Sequence, residues 1–202
     1  MADILRVLDC GWRSAVNTDG LHPEMDEVAL TGRLRAGMIA AINDKLVRSS
    51  KKISILPGTE SWPEGAKKPA GLTDISVHLR EIRERLQDHG PHAIIECKRV
   101  AGNAAALCRL YVLEGIDRFK ETKYAERHAA GFMAGYLLSG DALSATAGIN
   151  RYLSGQGRQS DHLNTCTVFD ADWARSSRHS RPRSTPSIEL HHAFLTFLGI
   201  SS

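Results

Sequence analysis

The segment Ala93-Ile94-Ile95-Glu96-Cys97-Lys98-Arg99-Val100 constrains this chain more than any other. Its apolar content is that of a buried strand, yet an acid and an amine interrupt it at alternate positions. Side chains at i and i+2 of a strand share a face, so Glu96 and Lys98 stand side by side among Ile94, Ile95 and Val100. Burying an ionised group without a partner costs several kcal/mol, so two of them in such a strand need a common purpose. The plain alternative is a surface pair meeting across solvent, worth under about 1 kcal/mol. The isoleucines and the valine argue against a fully wet strand.

A second acid, Asp74, lies in another short strand-like run, Leu72-Thr73-Asp74-Ile75-Ser76-Val77. A hairpin from Gly71 to Val100 would make the two strands neighbours. Two carboxylates and a lysine at one sheet edge suit a hard divalent cation and an activated water. Magnesium keeps several of its waters, so one or two carboxylates plus a substrate phosphate suffice. The pattern therefore leads us to expect metal-dependent phosphodiester hydrolysis with Mg2+, or with Mn2+ in its place as the more geometry-tolerant ion. Asp74, Glu96 and the backbone carbonyl of Cys97 are the candidate ligands. Lys98 is the candidate for orienting the attacking water or stabilising the charge that develops on phosphorus. Glu-x-Lys alone is too common to carry this reading; its apolar setting and the upstream acid raise it.

The chain of 202 residues is long enough for one well-buried domain. With 42% hydrophobic and 24% charged residues it has an ordinary globular composition. No apolar run approaches the ~18–20 residues that span a bilayer, and the first residues lack the basic-then-apolar order of a signal peptide. We therefore expect no membrane partner and a cytoplasmic location. Cys10, Cys97, Cys108 and Cys166 include no Cys-x-x-Cys pair, which excludes a zinc-ribbon pattern and disfavours a disulfide framework. A net charge of +3 is too small to identify a nucleic-acid binder. One stretch is locally basic, however: Arg175, Arg178, Arg181 and Arg183 have no acid between them and are candidates for phosphate contact, with a solvated loop as the alternative.

Apolar spacing predicts a helix over 24–47, with Val28, Leu30, Leu34, Met38, Ile39, Ile42 and Leu46 on one stripe and acids in its first turn. Strands are expected at 52–56, 71–79, 91–100, 131–139, 166–169 and 188–198. Residues 80–90 read as a long hairpin connection or a short helix, and helices are expected over 103–130 and 142–153. The order fits an α/β (α+β) fold, one mixed sheet flanked by helices. A single domain over 1–202 is expected, with its core at about 24–140 and a C-terminal extension carrying the last strand.

With those residues in place, the chain resembles the PD-(D/E)XK nuclease superfamily, whose members share a restriction-endonuclease-like core. Glu96-Cys97-Lys98 matches the second half of the motif, and Thr73-Asp74 stands for the first half without its proline. The resemblance implies a further acid from a preceding helix, which falls on Glu27; the other reading of Glu27 is simple helix N-terminal electrostatics, worth about 0.3–1 kcal/mol. Tyr111-Val112, Gly115, Arg118-Phe119, Lys123-Tyr124 and Gly131-Phe132-Met133-Ala134-Gly135-Tyr136 are also similar to small bacterial nuclease-like proteins linked to defence against foreign DNA. What this implies is a DNA endonuclease, acting as a homodimer or with a companion subunit of a defence system. Arg118 and Lys123 read as a solvated helix face, Tyr111 as core, and His191 and His192 as structural histidines on opposite faces. The rival from a different class is an inactive nuclease-fold module that binds nucleic acid or assembles a complex.

Overall fold

In a computed structural model of the protein, residues 1–48, 50–61, 67–87, 90–182 and 185–197 are described. In chain order the elements are helix α1 (Ala2–Asp19), α2 (Glu27–Asn43), strands β1 (Ile53–Pro57), β2 (Glu60–Ser61), β3 (Gly71–Leu72) and β4 (Ile75–Leu79), then α3 (Arg80–Leu86) and β5 (Ala93–Ala101). They continue with α4 (Ala105–Tyr111), a π-helical turn (Val112–Ile116), α5 (Asp117–Lys120), β6 (Ala130–Ser139), α6 (Ala142–Gly155), β7 (Asn164–Thr165), β8 (Ala174–His179) and β9 (Ile188–Thr196). The protein is mixed α/β. Among the described residues, seven strands form one sheet in the order β1-β4-β5-β6-β9-β8-β7, and β2 and β3 pair separately. The middle of the sheet, β5, β6 and β9, is parallel; the pairs on either side of it are antiparallel.

Each face of the sheet carries its own core. Helices α1 and α2 cover one, packing Leu5, Leu8, Trp12, Leu30, Leu34 and Met38 over Ile95, Cys97, Phe132 and Tyr136. Helices α4 to α6 cover the other, with Tyr111, Ile116, Phe119, Ile149 and Leu153 over Ile94, Met133 and Leu190. This is why β5 and β6 read as nearly continuous apolar runs: strands buried on both faces lose the polar alternation of a half-exposed sheet.

Residues 2–19, to which the sequence pattern assigns no element, form a helix whose buried stripe is Ile4, Leu5, Leu8, Trp12 and Ala15. Gly11 in its middle allows very close packing on α2, since a Cβ on the facing Gly37 would overlap the Gly11 carbonyl oxygen. Helix α2 starts at Glu27 rather than Glu24, because the Asp26 carboxylate caps it by accepting from Ala29 N at 2.7 Å. Val28, Ile39 and Leu46, expected on the buried stripe, are exposed. Residues 80–86 take the helical option for the β4–β5 connection. The strand expected at 166–169 is absent; the chain pairs instead through β7 and β8. β9 lies between β6 and β8, so the C-terminal segment is an inner strand of the sheet rather than an appendage.

Candidate active site

β4 and β5 are antiparallel neighbours with Ile75 opposite Ile95. One step beyond that pair, Asp74 falls opposite Glu96, and directly opposed residues point to the same face. Asp74 Oδ2 accepts from the backbone N–H of Cys97 at 2.7 Å, which fixes the acid at the mouth of the β4–β5 pair. Glu96 and Lys98 are buried on the face that carries Ile94 and Val100, under α4 to α6, and Lys98 Nζ lies 3.0 Å from Glu96 Oε1. From the first turn of α2, Glu27 Oε1 accepts from Lys98 Nζ at 2.8 Å and Oε2 accepts from Arg99 N at 3.0 Å. Glu27 therefore bridges the helix to the strand; its role is more than dipole compensation. Lys98 Nζ also donates to the Cys97 carbonyl at 2.9 Å, so all three of its protons face oxygen. The Cys97 thiol points away, into the core beneath α2.

Arg118 joins this cluster. Its Nη1 donates to Glu96 Oε1 at 3.2 Å and to the Tyr124 hydroxyl, which in turn donates to the Leu72 carbonyl at 2.8 Å. Helical periodicity alone places Arg118 on a solvated face. The π-helical turn at 112–116 explains the difference: it holds one residue more than an α-turn and so re-phases every side chain after it. Gly115 lets that turn sit against the sheet, since a Cβ there would crowd the Met133 methyl and touch the Lys98 stem. Spacing carries no warning of a π-turn; Gly115 ahead of Arg118 is the only trace in the sequence.

The electrostatics are set by burial. Removal from water, then the neighbouring Asp74 charge, raises the Glu96 carboxyl to about 8 despite Lys98 and Arg118. Asp74 is also raised, chiefly by burial, with the Cys97 hydrogen bond and Lys98 opposing. Burial works to lower the Lys98 ammonium, but Glu96, Glu27 and Asp74 outweigh it and hold it above the ordinary lysine range. Lys98 is thus a fixed cation rather than a proton acceptor. Glu96 Oε2 is buried and has no hydrogen-bond partner among the described residues.

An oxygen left dry and unpaired beside a second carboxylate is a costly arrangement that a divalent cation would relieve. The donor set fits magnesium or manganese through the Asp74 and Glu96 oxygens, with water filling the remainder. Among the described residues no group of three or more His, Cys, Asp and Glu side chains is placed to hold a metal. No family model, curated protein or solved structure significantly matches the chain. The function must be argued from the site.

The basic stretch lies elsewhere in the sheet. Arg175, on β8, donates to the carbonyls of Asp172 and Ala174 and lines a cavity of about 880 Å³ with Trp12 and Trp173 at the ends of β6 and β9. Arg178 is exposed and reaches Ser187. Arg181 is turned inward: its guanidinium donates to the carbonyls of Phe119, Ala125, Glu126 and His128, so it clamps the loop after α5 and has little left to offer a phosphate. Arg183 lies outside the described residues. His191 and His192 are both buried. Among the described residues no helix is long and apolar enough to cross a membrane.

Proposed function

We propose that this protein is a metal-dependent nuclease with a PD-(D/E)XK site on a restriction-endonuclease-like core, hydrolysing phosphodiester bonds in DNA. The observation that carries the reading is the buried, unpartnered Glu96 Oε2 facing the side of the sheet on which Asp74 stands. Asp74 and Glu96 would hold Mg2+, or Mn2+ in its place. When bound, such an ion supplies Lewis acidity and makes hydroxide accessible near neutral pH.

The remaining work falls to the chain's own groups. The Lys98 ammonium, held by Glu27, orients the attacking water by hydrogen bonding and balances charge as the bond to phosphorus forms. Arg118, whose Nη1 lies 3.2 Å from Glu96 Oε1, would offer that nitrogen to a non-bridging phosphate oxygen. Tyr124 keeps that guanidinium in place. Glu27 acts through Lys98 and is a positioning residue.

A second reading is favoured by one observation: Lys98 is saturated by three oxygens and Arg118 is already paired, so the cluster is a closed ion network. That is what an inactive assembly module built on the same sheet would also hold. A cleavage assay separates the two. Purified protein with Mg2+ or Mn2+ should cut single- or double-stranded DNA, and Lys98→Ala and Glu96→Gln should each lose at least about a thousandfold, the scale of a removed charge-stabilising group. Intact DNA with wild type in both metals, across varied substrates, leaves the module reading. Self-association into a homodimer and a companion defence subunit are proposals that rest on the resemblance of residues 111–136 to small bacterial nuclease-like proteins; cytoplasmic location is a proposal that rests on the sequence pattern alone.

A further inference from the structure

Beside the acids, and separate from them, lies a cleft of about 610 Å³ between the β2–β3 pair, the turn into β5 and the loop after α5. Thr73, Pro91, His92, Ile94, Arg127 and His128 are among its walls. Two of these adjoin the site directly: Thr73 precedes Asp74, and Ile94 lies two residues before Glu96 on the same face of β5. The even-numbered positions His92, Ile94, Glu96 and Lys98 thus make one track running from the cleft to the catalytic cluster. His92 is four residues from Glu96, or about 13 Å along a strand. A group held at His92 while phosphate is held at Glu96 therefore belongs to a flanking nucleotide, beyond the one being cut.

The chemistry of the cleft is set by the His92 ring. The backbone N–H of Leu79 donates to His92 Nδ1 at 3.0 Å, which makes Nδ1 the acceptor and leaves the ring proton on Nε2. Nε2 is buried and has no hydrogen-bond partner among the described residues. A donor fixed by a backbone contact, withdrawn from water and left unpaired, is a prepared binding group for an acceptor oxygen. The lining carries charge of both signs, the exposed Arg127 together with Glu60 and Glu126, so the His92 donor and not net charge would do the selecting.

We propose that this cleft is a substrate subsite in which His92 Nε2–H binds an acceptor oxygen of a nucleotide flanking the scissile phosphate. The inference rests on the nuclease reading for its substrate. The oxygen belongs either to the flanking phosphate or to the flanking base, and the two sources call for different probes.

The test uses His92→Asn and His92→Gln in the full chain. Asn places an oxygen where Nδ1 accepts from Leu79, keeping the structural contact and removing the donor into the cleft. Gln carries an amide donor out to the Nε2 position. Binding of labelled single-stranded and duplex DNA oligonucleotides is measured by fluorescence anisotropy in EDTA, with the melting temperature of each variant recorded alongside. Asn should weaken binding about fivefold, the scale of one lost hydrogen bond, and Gln should restore most of it. A single methylphosphonate, and separately a single abasic residue, is then walked along the strand. One position should weaken wild type but leave His92→Asn indifferent, and the modification that does so names phosphate or base. The proposal is overturned if His92→Asn binds as tightly as wild type, if every modification penalises both proteins equally, or if wild type binds no DNA. Should Asn lower the melting temperature, Gln decides: weak binding by a well-folded His92→Gln also overturns it. Failure to cut with Mg2+ or Mn2+ would remove the nuclease reading while leaving these binding outcomes to judge the subsite.

Discussion

Two buried polar clusters sit on the same face of the sheet and differ in how their charges are balanced. At β8 and β9 a chain of contacts runs from Asp161 through His179, Ser177 and His192 to Tyr111: Asp161 Oδ1 is 3.3 Å from His179 Nδ1, and the following hydrogen bonds are 2.7, 2.8 and 3.0 Å. Asp161 is also held by Lys120 at 2.7 Å and Arg158 at 2.8 Å. His179 Nδ1, like Glu96 Oε2, is buried without a hydrogen-bond partner among the described residues, but it lies within ion-pair reach of Asp161, and neither the 880 Å³ nor the 610 Å³ cavity is lined by any of these five side chains. The Asp-His-Ser order invites comparison with a nucleophilic triad, but a serine that no substrate can reach is structural. At β4 and β5 the acids are crowded instead, their carboxyls are driven upward by burial, and one oxygen is left with nothing. Asp161 is set among Lys120, Arg158 and His179, whereas Asp74 and Glu96 stand beside one another.

The sharpest way to break that contrast is to neutralise an acid in each cluster. Glu96→Gln should abolish cleavage while leaving the melting temperature unchanged near neutral pH and raised above pH 8, because burial already keeps that carboxyl protonated below about 8 and the amide replaces a neutral group. Asp161→Ala should do the reverse, costing about 2–3 kcal/mol of stability by stranding His179, Lys120 and Arg158. Activity per folded molecule should survive that change. A Glu96→Gln protein that melts well below wild type would show that the first cluster is structural too.

Acidity pulls the two clusters in opposite directions. Glu96 titrates near 8 when folded, against an ordinary 4.5, so between those values the folded protein holds the extra proton. Its contribution to stability is present below 4.5 and fades as pH rises through 8. His179 is pushed down to about 4, from 6.5, by burial that outweighs Asp161. Its contribution is present above 6.5 and is lost as pH falls through 4. Melting curves of metal-free protein should therefore decline on both sides, and Glu96→Gln should flatten only the alkaline limb. Saturating Mg2+ or Mn2+ should likewise protect wild type above pH 8 and do nothing for Glu96→Gln.

The smallest effects separate two arginines of one basic stretch. Arg178→Ala, an exposed change, should alter stability by less than about 0.5 kcal/mol. Arg181→Ala strips four carbonyls of their donor and should lower the melting temperature measurably. Thermal shift in one buffer decides this. Equal behaviour would mean that the loop after α5 is held by something other than Arg181.

What the sequence discloses follows from what periodicity can encode. β5 and β6 are legible because strands buried on both faces must be apolar, and Glu96 and Lys98 stand out against that background. Asp74 follows from topology once the β4–β5 hairpin is granted, whereas Glu27 is reached only through the family resemblance. β8 is illegible: Ala-Arg-Ser-Ser-Arg-His carries no apolar alternation, because the side turned inward is Ser177 and His179, satisfied by hydrogen bonds instead of packing. Arg118 is hidden for a different reason, a π-turn that no spacing rule anticipates. The arginine stretch misleads because charge in sequence says nothing of direction in space, and Arg181 points inward.

The most direct test is an anomalous-diffraction experiment on crystals soaked in Mn2+. The account predicts one strong peak bonded to an oxygen of Asp74 and to Glu96 Oε2, with the Lys98 ammonium within hydrogen-bond reach of a water on the ion. A map with no manganese between those carboxylates, and Glu96 still paired only to Lys98 and Arg118 at saturating metal, would contradict it.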